Sequence, residues 1–267
     1  MVGHLITPKV RLIEIINLSV SEVLTCRKLR DMDKAIRAIL LDIEGTTTPI
    51  SFVHDVLFPY SRLHLQSFLE QHRESPEVLS DLALLREEHA SDAKEGKEPP
   101  PLVEPYLYRL IEEDRKSPAL KSLQGKIWQQ GYSVGTLHSS VFGDVPVALE
   151  SWKKNNMNVS IFSSGSVLAQ KLLFAHTDAG DLTKFINNYF DTGVGKKTEA
   201  ESYRKIAGAL KLAPGQIHFS SDVLNELDAA AHAGMKTSLC IRPGNPVQTS
   251  ASKHRTIRSF AELVDAG

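Results

Sequence analysis

The chain has 267 residues, enough for one large domain or for a core carrying an inserted second unit. Lys and Arg total 31 against 32 Asp and Glu, a formal net charge of -1, which gives no support to bulk attraction for nucleic acid or a membrane surface. The hydrophobic share is 42%, ordinary for a globular protein, and no run reaches the roughly 20 apolar residues that cross a bilayer.

The first 33 residues stand apart. The stretch 10–24 is apolar-rich, but Arg11, Glu14 and Glu22 interrupt it, which argues against a secretory signal. A transit peptide and an internal start at Met32 both stay open, and residues 1–33 are set outside the catalytic unit. The two cysteines, Cys26 and Cys240, form no C-x-x-C pair and read as free thiols in a reducing compartment.

From Ala35 an almost continuous apolar run, Ala-Ile-Arg-Ala-Ile-Leu-Leu, ends in Asp42-Ile43-Glu44-Gly45-Thr46. Such a run bounded by turn residues is the pattern of a strand buried on both faces of a parallel sheet. The block 52–137 differs: it predicts helices over 57–72, 76–93 and 106–130, with the Pro-rich 95–101 as a linker. After it, strands at Val159-Ser160-Ile161-Phe162, Ile217-His218-Phe219 and Thr237-Ser238-Leu239-Cys240-Ile241 alternate with helices at 145–154, 167–174, 199–210 and 223–233. Strand–helix alternation means βαβ units. The expected fold is therefore α/β, a doubly wound parallel-sheet core over 34–51 and 138–267, with a helical cap, 52–137, inserted after the first strand.

Ligands of open α/β sheets bind beyond the carboxyl ends of the strands, so the polar residues there form one list. Asp42 and Glu44 end the first strand, Ser163-Ser164-Gly165-Ser166 the second, and Ser221-Asp222 the third, with Lys196-Lys197 in a glycine-flanked turn. Residues two apart in extended chain share a face, so Asp42 and Glu44 can point at one volume, where two anions require a cation or a proton between them. The serines precede a helix, where hydroxyls and unpaired amides receive an anion, and Lys197 can offset a phosphate charge. Each feature alone has a plainer reading: solvated strand-end acids, a serine helix cap, a surface lysine. Their order is more specific.

That order resembles the haloacid dehalogenase-type phosphohydrolases. Several stretches are similar to the enolase-phosphatase E1 branch of methionine salvage: Leu41-Asp42-Ile43-Glu44-Gly45-Thr46-Thr47-Thr48-Pro49, Ser163-Ser164-Gly165-Ser166 with Ala169-Gln170-Lys171-Leu172-Leu173-Phe174, Glu201-Ser202-Tyr203-Arg204-Lys205, and Arg242-Pro243-Gly244-Asn245. The resemblance runs from about Ala35 to the C-terminus and is looser in the insert. Most of the superfamily has aspartate where this chain has Glu44, in keeping with that branch. Many relatives carry two aspartates in the last motif, where this chain has Asp222 and Glu226.

The resemblance implies a bifunctional enolase-phosphatase with Asp42 as nucleophile and Glu44 as general acid/base. It implies Ser163, Ser164 and Lys197 on the phosphate, and one Mg2+ held by Asp42, Glu44 and Asp222. The implied substrate is the small phosphorylated diketone 5-(methylthio)-2,3-dioxopentyl phosphate, handled by a monomer in the cytoplasm or also the nucleus, without nucleic acid or membrane. A phosphatase of the same fold with another substrate is the main competitor. A phospho-acceptor signalling domain is about half this length and lacks such an insert.

Overall fold

The computed structural model describes residues 35–113, 115–247 and 253–264. The expectations for residues 1–33, Cys26 included, lie outside the described residues. From Ile36 onward the described residues belong to one compact unit.

Six parallel strands make the sheet: β1 (Ala38–Leu41), β2 (Asn158–Phe162), β3 (Asn188–Phe190), β4 (Ile217–Ser221), β5 (Lys236–Cys240) and β6 (Arg255–Ile257). Their order is β3-β2-β1-β4-β5-β6, so β1 lies between β2 and β4 and the winding reverses beside it. Leu40 registers with Ser160 on one side and Phe219 on the other. A crevice at a strand order of this type opens at the carboxyl end of β1.

Side chains alternate across a strand, and β1 follows that rule. Ile39 and Leu41 pack with α5 (Val145–Lys154) and α6 (Val167–Ala175) through Leu149, Trp152 and Phe174. Ala38 and Leu40 face α7 (Ala200–Leu210) and α8 (Leu224–His232) through Tyr203, Ile206 and Leu227. The core is thus covered on both faces, as the apolar runs require. The sequence reading did not place β3 and β6, edge strands of three residues each. The intermediate burial of β3 and the exposed Arg255 and Thr256 of β6 leave neither with a continuous apolar run.

Between β1 and α5 the chain is helical. A π-helical turn, Phe52–Leu57, leads into α1 (Phe58–His72), followed by α2 (Pro76–Lys94), α3 (Glu104–Glu112) and α4 (Pro118–Ser133). The single helix expected over 106–130 is instead two, α3 and α4. Its apolar periodicity runs on across a break at Ser117-Pro118, where Ser117 accepts from the Leu120 amide and proline occupies the first helical position. Ser75-Pro76 opens α2 in the same way. The insert has its own core, with Leu65, Leu69, Leu85, Tyr106, Leu110 and Leu123 buried together.

A buried carboxylate ties the insert's segments. Asp92 accepts from Arg115 Nη2 at 2.7 Å, from a second Arg115 nitrogen, and from the Tyr106 hydroxyl at 2.8 Å, with Lys97 at 3.2 Å. The Arg115 guanidinium leads in holding this carboxyl well below its usual range, against the opposing effect of burial. Among the described residues no helix is long and apolar enough to cross a membrane.

Candidate active site

β1 delivers Asp42 directly past its last residue, with the Asp42 amide bonded to the Ser220 carbonyl of β4 at 3.0 Å. The chain then turns sharply. The Ile43 carbonyl accepts from the amides of Thr46, Thr47 and Thr48, and the Thr47 hydroxyl donates to the Asp42 carbonyl at 3.1 Å. Gly45 has φ +67, and a Cβ there would stand 2.3 Å from Asp222 Oδ2. Glycine is needed for both reasons: the left-handed backbone and the approach of the β4 carboxylate.

Lys197 lies between two acids. Its Nζ donates to Asp42 Oδ1 at 2.6 Å and stands 2.7 Å from Glu226 Oε2. The Tyr203 hydroxyl donates to the Lys197 carbonyl at 2.7 Å, fixing the lysine's backbone over the sheet. The Ser221 hydroxyl adds bonds to Asp42 Oδ2 at 3.3 Å and Glu226 Oε2 at 3.0 Å. Burial opposes the charge on Lys197, but Asp42 and Glu226 outweigh it and raise the ammonium's pKa.

Burial, and next the charge of Asp42, push Asp222 up to about 7. The same two causes, in the same order, move Glu226 upward. Three buried or mostly buried carboxylates, Asp42, Asp222 and Glu226, thus stand together, and the buried Lys197 ammonium contacts Asp42 and Glu226. That excess of negative charge is what a divalent cation would balance. The nearby donors are oxygens, two carboxylates and the backbone around Glu44, which suits a hard ion such as Mg2+. No group of three His, Cys, Asp or Glu side chains positioned for a metal occurs among the described residues, so carbonyl oxygen or water would complete the shell.

These groups line one end of a cavity of about 490 Å³. Ser163, Ser164 and Gly165 line it as well, and Ser166 caps α6 by accepting from the Ala169 amide at 3.3 Å. Gln170 Nε2 braces that loop through the carbonyls of Gly165 and Phe190. The insert supplies an apolar wall that includes Val53, Leu57, Phe58, Leu110, Leu120 and Trp128. Trp128 is fixed by donating to the Leu57 carbonyl at 2.8 Å.

Each residue singled out in the sequence, Asp42, Glu44, Ser163, Ser164, Lys197 and Asp222, therefore borders this cavity. Lys197 meets Asp42 directly, whereas the Glu44 side chain pairs with His54 of the insert, also on the cavity wall, Nε2 to Oε1 2.6 Å. Sequence reasoning assigned no role to Glu226, the second partner of Lys197, or to His54. It quoted Asn245 only as part of a family stretch; the Asn245 Nδ2 donates to the Gly45 carbonyl at 2.8 Å and lies 3.4 Å from Asp222 Oδ2. Arg242, in the same stretch, was likewise given no role. It is buried between Phe142 and Phe260, donates to the Thr46 carbonyl at 3.0 Å, and pairs with Asp144.

Comparison with known proteins accords with this geometry. A model of the haloacid dehalogenase-like hydrolases matches residues 36–234. Enolase-phosphatase E1 of Synechococcus elongatus is 48% identical over 235 residues, spanning 86% of this chain and 98% of its own. Enolase-phosphatase E1 of Pseudomonas aeruginosa is 46% identical over 229 residues, with shares of 86% and 98%. Among solved structures, the UTR4 protein of Saccharomyces cerevisiae superposes with a TM-score of 0.69 at 36% identity, covering 84% of this chain and 98% of that one. CbbY of Rhodobacter sphaeroides, at 18% identity over 85% of this chain and 96% of that one, shares the fold with a TM-score of 0.55. The chain belongs to the haloacid dehalogenase-like hydrolases and, within them, to the enolase-phosphatase E1 family.

Proposed function

We propose that this protein converts 5-(methylthio)-2,3-dioxopentyl phosphate to 1,2-dihydroxy-5-(methylthio)pent-1-en-3-one and phosphate, as an enolase-phosphatase of methionine salvage. The observation that carries the residue assignments is the buried Asp42–Lys197 pair at the end of β1, beside Asp222 and facing a cavity with an apolar far wall. A nucleophile placed this way attacks phosphorus in line and forms an aspartyl-phosphate that water then hydrolyses. Lys197 offsets the charge on the phosphoryl oxygens, and Ser163 and Ser164 receive them at the start of α6.

One Mg2+ per chain would be held by Asp42, Asp222 and the main-chain carbonyl of Glu44, and would supply charge compensation for phosphate and polarisation of the ketone. The Glu44 carboxyl is then left to give a proton to the departing oxygen and to take one from the attacking water. The insert acts as a cap: its apolar wall receives the methylthio tail and keeps water from the phosphoryl group. Every group invoked comes from one chain, so a monomer suffices, and the reading takes the protein as cytoplasmic.

The direct test is incubation of the purified protein with Mg2+ and the diketone phosphate, following phosphate release together with enol absorbance. Both signals are expected, and EDTA should silence both. Phosphate release with no transient enol would leave a plain phosphatase, and activity surviving EDTA would remove the metal from the reading.

A further inference from the structure

Glu44 sits in the loop three residues beyond β1, and its side chain is 43% exposed. The core that carries it does not hold it. Among the described residues its carboxyl has one polar partner, His54, whose Nε2 lies 2.6 Å from Oε1. His54 belongs to the π-helical turn Phe52–Leu57 that opens the insert. A π turn admits an extra residue and so re-aims the side chains around it, a distortion common at functional sites. Behind His54 the packing is aromatic. Its ring meets Phe58 edge-on, with centroids 5.6 Å apart at 82°, and Phe58 lies 6.3 Å from Trp128. Trp128 is itself pinned to Leu57, the last residue of the π turn.

We infer that His54 is the positioning residue of Glu44. By donating from Nε2 to Oε1 it holds the carboxyl in one rotamer and leaves Oε2 for the proton that must reach the departing oxygen. A half-exposed glutamate without a partner spreads over several rotamers, whereas general acid catalysis needs the acid within hydrogen-bond reach of that oxygen. The partner comes from the insert rather than from the sheet. The acid is therefore set only when the first turn of the insert lies against the loop after β1, which makes cap placement a condition of protonation. This rests on the reading of Glu44 as general acid/base given above.

The test compares Mg2+-loaded wild type, His54→Ala, His54→Gln, Glu44→Gln and the His54→Ala/Glu44→Gln double variant on phenyl phosphate and 4-nitrophenyl phosphate. Phenolate is the poorer leaving group, so its ester depends more on a proton donor. His54→Ala should lose roughly tenfold or more in kcat on phenyl phosphate and much less on 4-nitrophenyl phosphate, with KM changed by no more than about twofold. His54→Gln, whose amide can donate to the same oxygen, should recover most of the loss, and the double variant should be no worse than Glu44→Gln alone. The half-exposed position of His54 lets the fold survive, which melting curves will verify. Equal loss on both esters, no recovery in His54→Gln, or a full further loss in the double variant overturns the assignment. If Glu44→Gln itself shows no dependence on the leaving group, the role of Glu44 falls rather than that of His54 alone.

Discussion

Lys197 Nζ lies 2.6 Å from Asp42 Oδ1 across 155 residues of chain. Both side chains are buried, 7% and 6% exposed, so neither charge is relieved by solvent and each is the other's main support. The same ammonium also serves Glu226, so its loss would leave two buried carboxylates without it.

Replacing Asp42, the proposed nucleophile, should separate chemistry from folding. Asp42→Asn keeps the shape but removes the attacking oxygen's charge, and phosphate release should fall by roughly 10³-fold or more. The charge of Asp42 helps to push Asp222 and Glu226 upward, so its removal relieves repulsion. Without Mg2+ the variant should melt no lower than wild type. Unimpaired turnover would dismiss Asp42 as nucleophile.

Lys197→Met has the opposite character. It strands Asp42 and Glu226 with no counter-charge, and breaking a buried pair in this way costs about 3–5 kcal/mol. Urea unfolding in EDTA at pH 8 measures that cost. A protonated carboxyl needs no counter-charge, so the deficit should narrow at pH 5. A deficit that is the same at both pH values would contradict this account of the cluster.

Asp222 sets a dependence on pH and metal. Its folded pKa, about 7, lies above the ordinary 3.8. A carboxyl raised in this way stabilises the cation-free fold fully below 3.8 and loses that contribution as pH rises through about 7. A Mg2+ bound at Asp222 as proposed would have to displace the proton, so its stabilising effect should be larger at pH 8 than at pH 5.5. Melting temperatures with and without Mg2+ at both pH values give the comparison, and Asp222→Asn should flatten it.

At Gly45 the constraint is steric. Gly45→Ala forces a Cβ into the space of Asp222 Oδ2 and keeps a positive φ that costs about 1–2 kcal/mol. The fold should survive, while the Mg2+ concentration for half-maximal activity should rise well above that of wild type. An unchanged requirement would show that Asp222 can move without consequence.

Much of this architecture was legible because buried parallel strands need continuous apolar runs, and β1, β2, β4 and β5 have them. The edge strands β3 and β6 were not, since three partly exposed residues carry no periodic signal. Joining α3 and α4 into one helix came from trusting apolar spacing over Ser117-Pro118, a start signal in plain view. At the site, motif order pointed to Asp42, Lys197 and Asp222, which reach it from strand ends. Asn245 and Arg242 escaped a role because their partners, Gly45 and Thr46, lie 200 and 196 residues away and are reached through main-chain carbonyls. Nothing in local pattern encodes such a contact. His54 and Glu44 are only 10 apart, but the π turn that joins them has no recognised sequence signature.

The Arg242 contacts bear on where the enzyme can be shortened. The haloacid dehalogenase-like match ends at residue 234, by which point every group proposed above to touch phosphorus has been laid down. Yet the threonine loop beside Asp42 leans on Arg242, and Arg242 is sandwiched by Phe260 and bonded to the Arg258 carbonyl. A truncated chain ending at 234 would keep all the proposed reagents and lose the buttress on the loop beside Asp42. Arg242, Arg258 and Phe260 would thus serve the chemistry as scaffolding, and trimming them should disarm the enzyme from a distance.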